Sequence, residues 1–228
     1  MCYSAEASFI ASGVLAGTSI AISRLPKEKN SLPLSVIPAI FAVHQFLEGT
    51  IWLNQGKLDR GAYLAVAIFI YALIAYVLWP VFIPFAGFHM EKDKKRRIVI
   101  LICQAIGLGA GITYLISIIR NPVDVSVNAC SLSYHIDAPS HLFAPYLIAV
   151  SVPFLVSTRR GLVSFGLAML IACGTAFYFA SRPSFPSVWC FFAAALSFSL
   201  YFFFRAAVPE EVPQAGQTCA QHRCGVAR

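Results

Sequence analysis

The sequence predicts an all-α protein, a polytopic bundle of about seven transmembrane helices. Composition is the first observation, because 58% of the 228 residues are hydrophobic and 12% are charged, whereas soluble domains carry roughly 25% charged residues. Segment length is the second, because several apolar stretches approach the roughly 20 residues that cross a hydrocarbon core. The third is an excess of Lys and Arg in alternate connections, as in polytopic membrane proteins.

A hydropathy window of about 19 residues separates seven apolar segments. They lie at about 6–23, 33–54, 62–88, 97–119, 141–157, 161–180 and 186–204. The fifth is the shortest and the third the longest, so six or eight spans are alternatives. Since no basic region precedes the first segment and no small-residue cleavage site follows it, we expect this segment to remain a transmembrane helix.

The distribution of basic residues predicts the orientation of the bundle and its partners. Connections on one side carry eleven Lys and Arg and those on the other carry four, which places the N-terminus outside and the C-terminus inside. The net charge of +7 is then explained by topology and by the lipid bilayer as partner, so no nucleic-acid binding is expected. We predict one domain over 1–207 and a disordered cytoplasmic tail over 208–228.

Glu48 is the residue that points most directly to function. It lies inside the second apolar segment, and an ionisable side chain at membrane depth is costly and marks a functional site by default. Placement at the interface with its carboxylate in the headgroup region is the alternative. Under the predicted topology, Glu48 lies in the outer half of its helix, on the side that also receives Ser4 and Glu6.

Two groups of metal-ligating residue types fall on this same side. His44 and Glu48 are four residues apart, hence on one helix face, where they could share a metal ion or form a hydrogen bond between helices. His135, Asp137 and His141 lie in the long loop 121–140 or beside it. They could complete a site for zinc, iron or copper, or form a polar turn that caps the fifth helix.

Cysteine positions leave two alternatives open. In an oxidising compartment, Cys2 and Cys130 on the outer side could form a disulfide that ties the N-terminus to the long loop. Alternatively, Cys2 is a metal thiolate beside Glu48 and His135.

The chain also resembles a family of small, uncharacterised bacterial multi-pass membrane proteins. The resemblance rests on the opening Met1-Cys2-Tyr3-Ser4-Ala5, on Gln45-Phe46-Leu47-Glu48-Gly49-Thr50-Ile51-Trp52 in the second span, and on Trp79-Pro80. It implies location in the cell (inner) membrane and no established activity, and it points to Cys2, Ser4, Gln45, Glu48, Gly49 and Trp52. The chain departs from the family at His44, where Gln is usual, which favours Cys2 over His44 as the partner of Glu48.

Three functions are compatible with these residues. The first is a membrane protein whose outward-facing polar pocket binds a metal ion or small ligand through Glu48. The second is a metal-dependent membrane hydrolase acting on lipid amide or ester bonds. The third is a small transporter, expected to be a homodimer, or an accessory subunit of a membrane partner.

The sequence contains no nucleophile elbow, phosphate-binding loop or dinucleotide fingerprint. These motifs therefore do not indicate an enzyme class, and whether the protein is an enzyme stays open. A divalent metal such as zinc is the cofactor that the candidate ligands suggest. The predicted ligand-binding residues are Glu48, Gln45, Trp52, Ser4 and Glu6, and the predicted metal ligands are Glu48, Cys2, His135, His44 and His141.

Overall fold

The computed structural model describes residues 4–55, 61–128, 131–180 and 183–206. Its helices are α1 (Ala5–Ser23), α2 (Leu32–Ser35), α3 (Ile37–Leu53), α4 (Ala62–Ala72), α5 (Trp79–Met90), α6 (Lys94–Arg120), α7 (Phe143–Leu155), α8 (Arg160–Phe179), α9 (Phe185–Ser197) and α10 (Leu200–Ala206). Its strands are β1 (Asp124–Asn128) and β2 (Ser131–His135). A π-helical segment, Leu73–Leu78, joins α4 to α5, and short 3-10 turns precede α2 and α7.

Six helical stretches of the described residues are long and apolar enough to cross a membrane. They are Ala5–Ser23, Lys29–Leu53, Ala62–Met90, Lys94–Arg120, Arg160–Phe179 and Phe185–Ala206, and a seventh, Ser140–Leu155, is shorter. The predicted all-α transmembrane bundle is therefore confirmed. Its shortest apolar helical stretch is the fifth segment, which the hydropathy window also predicted to be the shortest. The orientation across the membrane and the homodimer stay predictions.

The segment expected as a long loop contains a β-hairpin. β1 pairs antiparallel with β2, with Val125 opposite Tyr134 and Val127 opposite Leu132. Alternation of apolar and polar residues is the pattern of a strand with one buried face, and Val125, Leu132 and Tyr134 are buried. The loop prediction was wrong for these two segments, because their apolar side chains become buried only where the hairpin packs on the bundle.

The hairpin is fixed to the start of α9. The backbone N–H of Tyr134 donates to the carbonyl of Pro183 at 2.8 Å, and the hydroxyls of Ser133 and Ser184 are 2.7 Å apart. We call this end of the bundle, where α3 ends and α7 and α9 begin, the hairpin end. The opposite end carries Lys27, Lys92, Arg96 and Arg159, and we call it the basic end.

Close packing around the π-helical segment holds α5, α6 and α7 together. A Cβ atom added to Gly107 in α6 would clash with the carbonyl oxygen of Pro80 in α5, so the two backbones approach as only glycine permits. The Tyr146 hydroxyl of α7 donates to the carbonyl of Ala75 at 2.6 Å. The irregular segment is thereby bonded to α7 inside the bundle, where unpaired backbone groups are costly.

Hydrogen bonds to Glu91 join two connections at the basic end. Its carboxylate accepts the backbone N–H groups of Lys92 and Asp93, both at 2.9 Å, and that of Thr158 at 2.7 Å. The guanidinium of Arg96 donates to the carbonyls of Val156 and Ser157 at 2.8 and 3.0 Å, at the end of α7. The α5–α6 and α7–α8 connections are thus bonded to each other.

Several predictions fall on residues outside the described ranges. They concern Cys2, Cys130 and the tail over 208–228. The disulfide, the thiolate ligand and the disordered tail therefore stay predictions.

Candidate functional site

Glu48 lies in the half of α3 nearer the hairpin end, and its residue is 2% exposed. The Gln45 side-chain amide, one turn earlier on the same face, donates to Glu48 Oε2 at 3.3 Å. The Ser187 hydroxyl of α9 donates to Glu48 Oε1. The carboxyl group therefore joins two helices that are far apart in sequence.

A column of three stacked rings stands beside this carboxyl group. The His44 ring of α3 stacks on Tyr71 of α4, with centroids 4.1 Å apart. Tyr71 stacks in turn on Tyr134 of β2 at 4.3 Å and an interplanar angle of 8°. The hairpin is thereby packed directly on the intramembrane polar cluster, which the sequence did not indicate.

The polar atoms of this cluster are only partly paired. Among the described residues, both His44 ring nitrogens, Gln45 Oε1 and the hydroxyls of Tyr71 and Tyr134 are buried without a hydrogen-bond partner. Most buried polar atoms in native proteins have a partner in the protein or in ordered water. A concentration of unpaired donors and acceptors around one carboxyl group is typical of a site that binds water, a proton or a ligand.

Charge around Glu48 is not balanced by a cation. In the part of the chain that the structure describes, no Lys or Arg pairs with Glu48, and the groups that interact with it electrostatically are Tyr71, Tyr134 and Cys190. Cys190 lies three residues after Ser187 on α9, so both side chains share one helix face. We refer to Glu48, Gln45, His44, Tyr71, Tyr134, Ser187 and Cys190 as the Glu48 cluster.

A cavity of about 790 Å³ opens at the hairpin end beside this cluster. Its wall includes many aromatic rings, contributed by Tyr76, Tyr114, Phe143, Tyr146, Phe177, Phe185 and Trp189. The lining residues His135, Asp137 and His141 are exposed and mark the mouth, whereas Tyr134 and Cys190 are buried and mark the base. Tyr134 and Cys190 therefore separate the cavity from Glu48, which does not line it.

A small apolar pocket continues from the base of this cavity towards the bundle centre. Its volume is about 30 Å³, and it shares Tyr146, Trp189 and Cys190 with the larger cavity. The cavity thus narrows into the bundle as an apolar cleft along α9.

The structure brings only part of the predicted ligand-binding set together. Gln45 and Glu48 are in contact, and one turn further along α3 the buried indole N–H of Trp52 has no hydrogen-bond partner within the described ranges. Ser4 instead caps α1, where its hydroxyl accepts the N–H of Ala7 at 3.3 Å. Glu6 is exposed in the first turn of α1.

Gly49, which the family resemblance also marked, has a packing role. A Cβ atom at this position would lie 3.0 Å from the ring of Phe9. Gly49 therefore lets α1 pack closely on α3 beside Glu48.

The predicted loop residues lie at the cavity mouth rather than beside Glu48. His135 Nε2 lies 3.1 Å from the hydroxyl of Ser126 across the hairpin. Asp137 accepts the side-chain amide of Asn121 at 2.9 Å, while the turn before α7 has no side-chain cap. Among the described residues, no group of three His, Cys, Asp or Glu side chains could hold a metal ion. The metal site stays a prediction.

Sequence reasoning missed Tyr71, Tyr134 and Ser187 as members of the Glu48 cluster. Tyr71 and Ser187 lie within long apolar segments, where a tyrosine or a single serine is common and carries little signal. Tyr134 could have been identified from the alternation in β2, but its contact with Tyr71 depends on how the hairpin folds over the bundle.

Comparison with known proteins places the chain in a family without assigning an activity. A sequence profile described as "Family of unknown function (DUF6629)" matches residues 1–214, and the chain belongs to this family. No curated protein and no solved structure matches it. The resemblance to an uncharacterised family is confirmed, while the family motifs and a bacterial origin stay expectations.

Proposed function

We propose that this member of the family is an integral membrane protein that binds a small amphipathic molecule in the cavity at its hairpin end. The cavity itself is the observation that carries the proposal. Its volume of about 790 Å³ lies within the roughly 300–1,000 Å³ of small-molecule sites, which are concave and lined mainly by apolar and aromatic side chains.

The lining favours a ligand with an apolar body and a polar group. Its wall is mainly apolar and aromatic, and the exposed polar residues His135, Asp137 and His141 lie together at the mouth. A ligand bound with its apolar part among the rings would place its polar group near these three side chains. Hydroxyls of the wall, such as that of Tyr114, provide further hydrogen-bonding positions.

Access from the hydrocarbon phase is supported by the residues at the end of α8. Phe177 lines the cavity and is also 59% exposed, and the two residues after it, Tyr178 and Phe179, are exposed as well. Exposed aromatic residues at the end of a membrane helix belong to the interfacial belt. The ligand class that fits this placement is a lipid-like amphiphile rather than an ion.

The role of Glu48 in this function is to position the cavity base. It bonds to Ser187 on the helix that also supplies Trp189 and Cys190 to the cavity. Direct coordination of a metal or ligand by Glu48, a metal-dependent hydrolase and a transporter are alternative proposals. None of the contacts described above favours hydrolysis.

Quenching of Trp189 fluorescence tests the proposal. The chain has three tryptophans, of which Trp189 lines the cavity. In a variant with Trp52→Phe and Trp79→Phe, a nitroxide-labelled fatty acid should quench Trp189 saturably. Ala138→Phe, which fills the lining, should abolish this quenching, whereas the matched change Leu167→Phe, at an exposed position of α8 outside the lining, should leave it unchanged.

A variant that retains only Trp52 provides the control for quenching from the surrounding detergent or lipid. Non-saturable quenching of equal strength at Trp52 and Trp189 would contradict the proposal. So would saturable quenching of Trp189 that survives in Ala138→Phe.

A further inference from the structure

We propose that the amphiphile bound in the cavity has a quaternary ammonium head group, held between the Asp137 carboxylate and three phenylalanine rings at the cavity mouth. The inference rests on the proposed function and names the class of its ligand. The three rings belong to Phe143, Phe177 and Phe185, and we call them the mouth rings.

The charge of the lining favours a cation. Within the ranges that the structure describes, Asp137 is the only acidic residue that lines the cavity, and no Lys or Arg lines it. Asp137 is exposed at the mouth, where its carboxylate accepts a hydrogen bond from the side-chain amide of Asn121. This neutral partner leaves the negative charge uncompensated, so the mouth attracts a cationic head group and repels an anionic one.

The helix starts beside the mouth offer few donors to an anion. The first N–H groups of a helix are common ligands of anions. The lining residues at the starts of α7 and α9 include three prolines, Pro139, Pro183 and Pro186, and proline has no N–H. The lining therefore lacks the basic side chains, and part of the backbone donors, that hold an anionic head group.

The mouth rings surround one region of the cavity. Phe143 and Phe185 begin α7 and α9, and Phe177 lies near the end of α8. Each ring contacts the other two, with centroids 5.2, 6.1 and 6.3 Å apart. The Phe185 ring meets those of Phe143 and Phe177 at 84° and 70°. Rings at such steep angles border a space from more than one direction, as in the aromatic cages that bind quaternary ammonium groups.

The chemistry of the mouth rings favours an alkylated nitrogen over a primary amine. Each N–H of a primary ammonium needs an acceptor, and phenylalanine rings supply no nitrogen or oxygen acceptor. A trimethylammonium group has no N–H, so its methyl groups pack on the rings while its charge is attracted to their π faces. Its alkyl chain would then lie among the rings of Tyr146 and Trp189, one turn further into the bundle along α7 and α9.

Displacement of a neutral nitroxide-labelled fatty alcohol tests the head group. The protein is the Trp52→Phe and Trp79→Phe variant in lipid nanodiscs, and the signal is quenching of Trp189. Three competitors share one alkyl chain and carry a trimethylammonium, a tert-butyl or a sulfate group, and their concentrations are measured in the bilayer. The tert-butyl group has the shape of trimethylammonium without its charge. The trimethylammonium compound should displace the probe at a roughly tenfold lower concentration than the tert-butyl compound, and the sulfate should be the weakest competitor.

Two variants locate the head group at the mouth. Asp137→Asn removes the charge and keeps an acceptor for Asn121, and Phe143→Leu removes a ring and keeps an apolar side chain. Each should lower the preference for trimethylammonium over tert-butyl roughly threefold. The matched controls Glu28→Gln and Phe202→Leu, at exposed positions outside the lining, should leave this preference unchanged.

The outcomes separate this inference from the proposed function. Equal displacement by the three compounds would overturn the quaternary ammonium head group, while saturable quenching by the alcohol would still support an occupied cavity. A preference unchanged in folded Asp137→Asn and Phe143→Leu proteins would overturn the placement at the mouth. Absence of saturable quenching would overturn the proposed function and this inference with it.

Discussion

Glu48 and Glu91 are both 2% exposed, but their hydrogen-bond partners differ. Glu91 at the basic end accepts three backbone N–H groups and the hydroxyl of Thr158. Glu48, near the hairpin end, accepts two side-chain donors and is surrounded by unpaired polar atoms. A carboxylate with a complete set of donors stabilises the fold, whereas one with an incomplete set is available for protons or ligands.

The electrostatics of Glu91 agree with a structural role. Burial alone would raise the pKa of its carboxyl group, but the N–H groups of Asp93, Thr158 and Lys92 and the Thr158 hydroxyl outweigh that effect. They hold the pKa of Glu91 below its usual value of 4.5. Hydrogen bonds that stabilise the charged form have this effect on an acid.

The largest expected effect in this comparison comes from Glu91→Ala. It should lower the free energy of unfolding by about 3 kcal/mol, because several donors lose a charged acceptor at once. Denaturant unfolding followed by tryptophan fluorescence measures this loss. Glu28→Ala at the same end is the control, since its ion pair with Arg159 is exposed and should contribute less than about 1 kcal/mol. Equal losses in the two variants would contradict the structural role.

Lowering the pH should remove part of the stabilisation that Glu91 provides. The pKa of Glu91 is lower in the folded state than its usual value of 4.5. Its contribution to the free energy of unfolding is therefore fully present above pH 4.5 and is lost as the pH falls through the folded-state pKa. Wild-type stability should therefore decline below about pH 4.5 more steeply than that of Glu91→Gln. Parallel pH profiles of the two proteins would show that Glu91 does not contribute in this way.

The sequence could predict the bundle but only part of the site. Hydropathy located every long helix, and the cost of a carboxyl group at membrane depth identified Glu48. Tyr71 and Ser187 could not be found, because their importance depends on which helix faces meet around Glu48. The hairpin was not predicted, because one face of β2 becomes buried only when the strand packs on α9. The role of Glu91 was not predicted, because backbone N–H groups supply most of its hydrogen-bond donors.

His44→Phe should have a smaller effect and the opposite sign. Phenylalanine retains the stacking on Tyr71 and removes two buried ring nitrogens that have no partner in the part of the chain that the structure describes. An unsatisfied buried polar atom costs about 1–3 kcal/mol, so the variant should gain about 1 kcal/mol in unfolding free energy. A loss of that size would mean instead that bound water or Cys2 satisfies the imidazole in the native protein.

Glu48→Gln should have the smallest effect on stability. If Glu48 is a neutral acid, the amide has the same shape, accepts from the Ser187 hydroxyl and replaces the carboxyl O–H donor with an N–H donor. The free energy of unfolding should then change by less than about 0.5 kcal/mol. If Glu48 were instead a carboxylate, it would accept hydrogen bonds from both Ser187 and Gln45. The NH2 group of the introduced amide would then face one of these two donors, and loss of that hydrogen bond would lower the free energy of unfolding by about 1–3 kcal/mol. The size of the loss in unfolding free energy therefore distinguishes a neutral Glu48 from a charged one, and comparison with Glu91→Ala at pH 7 shows which of the two buried carboxyl groups stabilises the fold more.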